Sequence, residues 1–248
     1  MLSVSTDDTG LTPAAIARGE GDRFLVELNR LLTAHSLPTY VRLLSEMNNG
    51  ANPYSAYDLN GRSRGPAFST PQFKRAWRRA ALILRGGPAA TVNARLQRLR
   101  MPPVRGLADE AELGRPRVAL LWVPLSFGNP EVSRNHPRHW WPGAGYVDWV
   151  GTTWYSRHRS VAAMDRFYRH PLWRSKPFSF SEYGVWGAES PGFLRDFFRF
   201  VAGHRRVGMV SYYQSALLAP EFRLSTHPGS RAVLRRLLRP AQFLGATE

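Results

Sequence analysis

The chain has 248 residues, with 34 Lys+Arg against 18 Asp+Glu, a formal net charge of +16, and 43% hydrophobic and 21% charged residues. That balance excludes an intrinsically disordered chain and allows one large domain or two small ones. Cysteine is absent, which excludes disulfides, thiolate nucleophiles, Fe–S clusters and Cys-ligated zinc. No run approaches the 18 or so apolar residues of a membrane span.

Taken in order, Leu2 to Ser5 is a possible short strand, followed by an amphipathic helix over Asp22 to Ala34 and an apolar strand, TYVRLL, at Thr39 to Leu44. A long connection with Gly50, Pro53, Gly61, Gly65 and Pro66 runs from Asn48 to Thr70 and leads to a helix at Pro71 to Leu84. The next connection, Arg85 to Pro116, carries Gly86-Gly87-Pro88 and Pro102-Pro103; both connections have the length of lids or rim decorations. RVALLWV at Arg117 to Val123 and YVDWVGT at Tyr146 to Thr152 read as strands, then Val161 to Tyr168 as a helix. PFSFS at Pro177 to Ser181 and VGMVSY at Val207 to Tyr212 complete the strands, with helices at Pro191 to His204 and Ser230 to Leu238.

Strand alternates with helix throughout, so the fold class is α/β with parallel strands. No G-x-G-x-x-G or Walker-type loop follows any strand, which disfavours a nucleotide-binding open sheet. Polar and aromatic residues gather just after strand ends, at Ser45-Glu46-Met47-Asn48-Asn49, Trp154-Tyr155-Ser156, Glu182-Tyr183-Gly184 and Tyr213-Gln214-Ser215. That is where a (β/α)8 TIM barrel builds its site. Five clear strands and a possible sixth fall short of eight, so the barrel reads as incomplete, with about two βα units absent at the N-terminus. No linker divides residues 1–248, which read as one partial barrel domain.

Only Lys74 and Lys176 are lysines; every other basic residue is arginine. The densest clusters, Arg75, Arg78 and Arg79, and Arg231, Arg235, Arg236 and Arg239, fall at helical spacing, the pattern of solvated helix faces. No nucleic-acid-binding motif accompanies them, so no specific nucleic-acid partner is expected, only salt-sensitive attraction to polyanions. Asp7, Asp8, Glu20 and Asp22 stand where a signal peptide needs an apolar stretch, and no membrane partner is expected.

Among the carboxylates, Glu46 ends TYVRLLS and Glu182 ends PFSFS, whereas Asp148 lies inside YVDWV and reads as a structural partner. Two carboxylates at carboxyl ends of different strands suit glycosidic bond cleavage: one protonates the leaving oxygen while the other attacks or activates water. Alternatively, each caps a helix or meets an arginine. Regular alternation would put Tyr40, Arg42, Leu44 and Glu46 on one face, with Arg42 either orienting a carboxylate or filling the barrel as a buried ion pair. Aromatic rings that can lie against sugar faces, or equally fill the core, cluster at the same ends. Trp154, Tyr155 and Trp186 are the foremost candidates because they follow strands. Trp122, Tyr212, Arg42 and Asn48 complete the candidate substrate-binding set. The histidines are dispersed, His136 and His139 sit in a proline-containing loop, and neither a metal site nor any other cofactor is expected. A G-x-S-x-G elbow is missing, which leaves Ser-His-Asp chemistry unsupported.

RLLSEMNNG at Arg42 to Gly50, WWPGAGYVDWVGTTWY at Trp140 to Tyr155 and KPFSFSEYG at Lys176 to Gly184 resemble glycoside hydrolase family 26, β-mannanase-like enzymes of the retaining glycosidase clan. The resemblance runs from the family's third strand to its eighth and implies a chain truncated at its N-terminus. It implies Glu46 as acid/base, Glu182 as nucleophile, Tyr155 as the tyrosine that bonds the nucleophile, and an oligo- or polysaccharide substrate. It also suggests secretion. Ser45 stands where the family usually has histidine, and Ala51-Asn52-Pro53-Tyr54 replaces its tryptophan-rich stretch. Those departures leave open a noncatalytic carbohydrate-binding or remnant domain, and the charge leaves open a nonspecific polyanion binder.

Overall fold

Helix formation in the first third follows from spacing. In Thr70–Arg85 the residues Phe73, Ala76, Trp77, Ala80, Ile83 and Leu84 recur every three or four positions and are all buried, while Pro71 occupies the first turn, where its missing N–H costs nothing. Gly86 ends that helix at φ 68°, and a Cβ there would stand 1.7 Å from the Gly114 carbonyl oxygen, so only glycine fits.

The computed structural model describes residues 1–158, 160–214 and 220–239, in two compact units. The first, Met1–Gly151 with Pro171–Lys176, contains β1 (Leu2–Val4), α1 (Pro13–Ala17), α2 (Asp22–His35), β2 (Thr39–Leu43), α3 (Thr70–Arg85), β3 (Gly87–Pro88), α4 (Ala89–Arg98), β4 (Glu112–Leu113), β5 (Val118–Trp122) and the start of β6 (Trp149–Tyr155). Thr12 caps α1 through its hydroxyl, and both α1 and α2 pack on α3. In the second unit lie the end of β6, α5 (Val161–Tyr168), β7 (Phe178–Gly184), α6 (Pro191–Gly203), β8 (Val207–Tyr212) and α7 (Pro228–Leu237).

The strands form one parallel sheet of order β1-β2-β5-β6-β7-β8, and β3 and β4 form a separate antiparallel pair. This is an α/β fold of (β/α)8-barrel type with six parallel strands among the described residues. Every expected strand is present, including the one at Leu2, and every expected helix. Some boundaries differ, for local reasons. The strand expected from Tyr146 starts at Trp149, because Ala144–Tyr146 close a 3-10 turn and the Tyr146 carbonyl accepts from Trp77 Nε1 at 3.1 Å. β7 runs three residues further than Ser181, so Glu182 lies inside the strand rather than after it. The Arg85 to Pro116 connection contains α4 and the β3–β4 pair.

One arginine cluster is corrected. Arg79 is wholly buried, not on a wet helix face: its Nε and Nη2 donate to the Asp22 carboxylate at 2.7 and 2.5 Å, and its remaining N–H groups reach the Pro102 and Pro103 carbonyls. Arg105 N donates to the same carboxylate at 2.7 Å, so the two buried charges are paired and hydrogen bonded. Asp148 is the structural partner expected, accepting from Arg85 at 2.8 Å and from Leu120 N at 2.9 Å.

Candidate active site

In the first unit, β2 stops at Leu43 and the chain then turns through two left-handed residues, Leu44 at φ 42° and Glu46 at φ 52°. Such a conformation costs a non-glycine residue about 1–3 kcal/mol and persists only where the surroundings impose it. Here they do. Leu44 N donates to Val4 O at 2.8 Å and Glu46 N to Val123 O at 2.6 Å. Asn52 Nδ2 donates to the Ser45 and Glu46 carbonyls, and the Tyr54 hydroxyl to Ser45 O at 2.6 Å. The left-handed residues break the alternation that would have carried Arg42, Leu44 and Glu46 along one face. Glu46 is half-buried, and its Oε2 accepts from Asn49 Nδ2 at 3.1 Å.

Asn48 is buried and its side chain is spent on the loop. Its Nδ2 donates to the Leu125 and Phe127 carbonyls, and its Oδ1 accepts from Leu125 N at 2.8 Å. It therefore holds the segment after β5 against the one that carries Glu46. Arg42 is buried. Burial pushes the Tyr54 phenol up, the charges of Asp7 and Glu46 push it further, and the Arg42 guanidinium opposes them.

In the second unit, the site is made by a β-bulge. Phe178 and Phe180 face α6 and α5: Phe180 meets Phe197 at 4.8 Å between ring centroids and Phe178 meets Tyr168 at 5.2 Å. Ser179 and Ser181 lie on the other face, their hydroxyls 2.8 Å apart. Tyr183 is back on the helix side, stacked on Phe197 at 4.1 Å. Two residues lie between Phe180 and Tyr183 where one lies between their partners Val210 and Tyr212, so β7 holds one extra residue there. Ser181 and Glu182 are thereby consecutive on the face away from α6. Across β6, Trp154 packs among Phe180, Phe193, Phe197 and Phe200 on the helix side, so Tyr155 leaves by the opposite face. Its hydroxyl donates to Glu182 Oε2 at 2.5 Å. Tyr155 and Glu182 are both half-buried.

Trp186 stands beside this pair. Its ring lies edge-on to Tyr155 at 5.7 Å and against Phe222 at 5.2 Å, and its backbone N–H donates to Ser156 Oγ at 2.9 Å. Arg157 places its guanidinium carbon 4.5 Å from the Trp186 ring centroid. Neither Arg157 nor Phe222 stood out in the sequence; proximity of Arg157 to Tyr155 in the chain was the one available signal. Of the other candidates, Tyr212 is tied to backbone: its hydroxyl donates to Phe222 O at 3.1 Å and accepts from Val185 N at 3.3 Å, while burial pushes its phenol up. Trp154 is 2% exposed and Trp122 0%, the latter packed with Trp141 and Trp173. Both rings belong to the core and present no open face to a ligand. Ser215 lies outside the described residues. Among the described residues no three His, Asp or Glu come together as metal ligands.

No protein-family model matches the sequence, and no curated protein does. Solved structures match in fold. A family 26 β-mannanase from Bacteroides ovatus is 17% identical with a TM-score of 0.57, over 97% of this chain and 64% of its own. An endo-β-1,4-mannanase double mutant from Cellulomonas fimi is 16% identical with a TM-score of 0.57, over 95% of this chain and 50% of its own. A ruminal family 26 endo-β-1,4-mannanase is 13% identical with a TM-score of 0.50, over 89% of this chain and 39% of its own. The fold is thus related to that of family 26 glycoside hydrolases, and the chain spans 39% to 64% of the length of these three structures.

Proposed function

We propose that this chain is a retaining glycoside hydrolase acting on a β-linked polysaccharide of mannan or glucan type. Glu182 is the nucleophile: its carboxylate attacks the anomeric carbon, the bond to the leaving oxygen breaks, and a glycosyl ester forms. Glu46 is the acid/base, giving its proton to the leaving oxygen and then taking one from the water that hydrolyses the ester. The Tyr155 phenol holds one carboxylate oxygen of Glu182 and so orients the other.

The observation that carries this reading is the 2.5 Å bond from Tyr155 to Glu182 on a strand that carries an extra residue at that point. A glutamate that only filled a core would need neither. Glu46 supports it from its own unit, in a left-handed conformation held by hydrogen bonds on both sides.

Replacing Glu182 by Ala is expected to lower turnover of an aryl β-glycoside and of polysaccharide by four or more orders of magnitude, on the order seen when a covalent nucleophile is removed. Added azide should restore part of the turnover by taking the place of the missing carboxylate. Unchanged rates in Glu182→Ala would remove the assignment.

A further inference from the structure

The tripeptide Tyr155-Ser156-Arg157 makes three separate contacts with the strand and loop that carry the proposed nucleophile. Tyr155 bonds Glu182, Ser156 accepts from the backbone N–H of Trp186, and Arg157 covers the Trp186 ring at 4.5 Å. The result is a cation over the Trp186 ring, which itself lies edge-on to Tyr155, the partner of the proposed nucleophile. Arg157 is exposed, and among the described residues no carboxylate pairs with it. Two other exposed arginines of this unit find acids, Arg169 with Asp165 and Arg199 with Asp196, while Arg195, Arg205, Arg231, Arg235 and Arg236 pair with none among the described residues; what sets Arg157 apart is its seat on the Trp186 ring. Glu189, the acid nearest in sequence on the Trp186 loop, is spent on Gly229 N and on the amide and hydroxyl of Ser230.

A guanidinium stacked on an indole keeps its N–H edge free. The stacking removes rotamer freedom before a ligand arrives, and the planar fork matches the paired oxygens of a carboxylate or a sulfate. Neutral hydroxyls have no use for such a group beyond an ordinary hydrogen bond. The net charge of +16 acts in the same direction over a longer range, concentrating polyanions near the surface.

We infer that the glycan handled at Glu182 is acidic, carrying carboxylate or sulfate groups, and that Arg157 on Trp186 reads one of them on a sugar beside the scissile bond. The inference rests on the glycoside hydrolase reading and replaces its neutral substrate with an anionic one. Arg157 is a specificity-determining residue.

The test is binding to the full chain carrying Glu182→Gln, which consumes no substrate, by calorimetry at near-physiological salt. The probes are polymannuronate, sulfated mannan and neutral mannan. Arg157→Gln, Arg157→Lys and the α7 variant Arg235→Gln are compared in that background. One acidic polymer is expected to bind at least about tenfold tighter than neutral mannan, as a lost charge-assisted pair predicts. Arg157→Gln should lose about that factor for the acidic polymer alone, Arg157→Lys part of it, and Arg235→Gln none. Whether carboxylate or sulfate is preferred identifies the source of the charge. Neutral mannan binding as tightly as the acidic polymers, or equal losses in Arg157→Gln and Arg235→Gln, would overturn the acidic-substrate inference and leave the glycan reading standing. Failure of all three polymers and of a neutral β-glucan to bind would overturn both.

Discussion

On β6 the side chains of Trp154 and Tyr155 leave the strand by opposite faces, and their surroundings give them opposite work. Trp154 fills the space between β7 and α6, so Trp154→Ala is expected to cost about 3–5 kcal/mol of stability, read as a lower urea midpoint. Tyr155→Phe keeps the ring and removes only the hydroxyl that meets Glu182. A hydrogen bond to a charged group contributes about 1.5–3 kcal/mol, so kcat should fall roughly 10- to 100-fold while the urea midpoint falls by less than in Trp154→Ala. Equal stability losses in the two variants would contradict this division. The sequence shows both aromatics as following a strand, and alternation shows that they differ. It does not show which one meets the helix, because that depends on the phenylalanines of Pro191–Gly203, about forty residues away in the chain. Asn48 was legible as a polar residue beside Glu46, but not as one whose amide is already consumed by Leu125 and Phe127.

Between residues and the whole chain, the decisive feature is the irregularity of β7. Strict alternation from Phe178 and Phe180 would send Glu182 into the helical layer. The extra residue returns it to Tyr155's face, and β-branched or aromatic patterning carries no mark of such an insertion. The turn after β2 is similar: TYVRLL reads as a strand to Leu44, whereas left-handed Leu44 ends it one residue early. A third device is the start of α7, whose free N–H groups at Gly229 and Ser230 are capped by Glu189 from the loop after β7. Burial would raise the Glu189 carboxyl, but these hydrogen bonds outweigh it and hold the carboxyl below its ordinary 4.5. A lowered carboxyl stabilises the fold above the unfolded value and loses that contribution as pH falls through the lowered one. Glu189→Gln should therefore be slightly less stable at neutral pH, the effect being damped by solvent at this exposed site, and show a shallower loss of stability below pH 4.5 than the parent chain. Identical acid limbs would contradict the cap.

For the molecule as a whole, alternation of apolar strands and amphipathic helices was enough to read the α/β class, because it reflects burial of both sheet faces. The short helices Pro13–Ala17 and Ala89–Arg98 were not read, since one is barely more than a turn and the other lies in a stretch rich in glycine and proline. Nor was the burial of Arg79, whose spacing on α3 matches that of its half-buried neighbours Arg75 and Arg78; the Asp22 carboxylate on another helix distinguishes it. Asp22→Ala would strand that guanidinium and is expected to cost about 3–5 kcal/mol, measured by denaturant unfolding, with no effect on a site that it does not touch.

The account turns on double displacement at Glu182, and the stereochemistry of the product reads it directly. Proton NMR of the sugar first released from a β-linked substrate should show the β anomer, with the α anomer appearing only later by mutarotation. The α anomer appearing first, or no sugar released, would contradict the account.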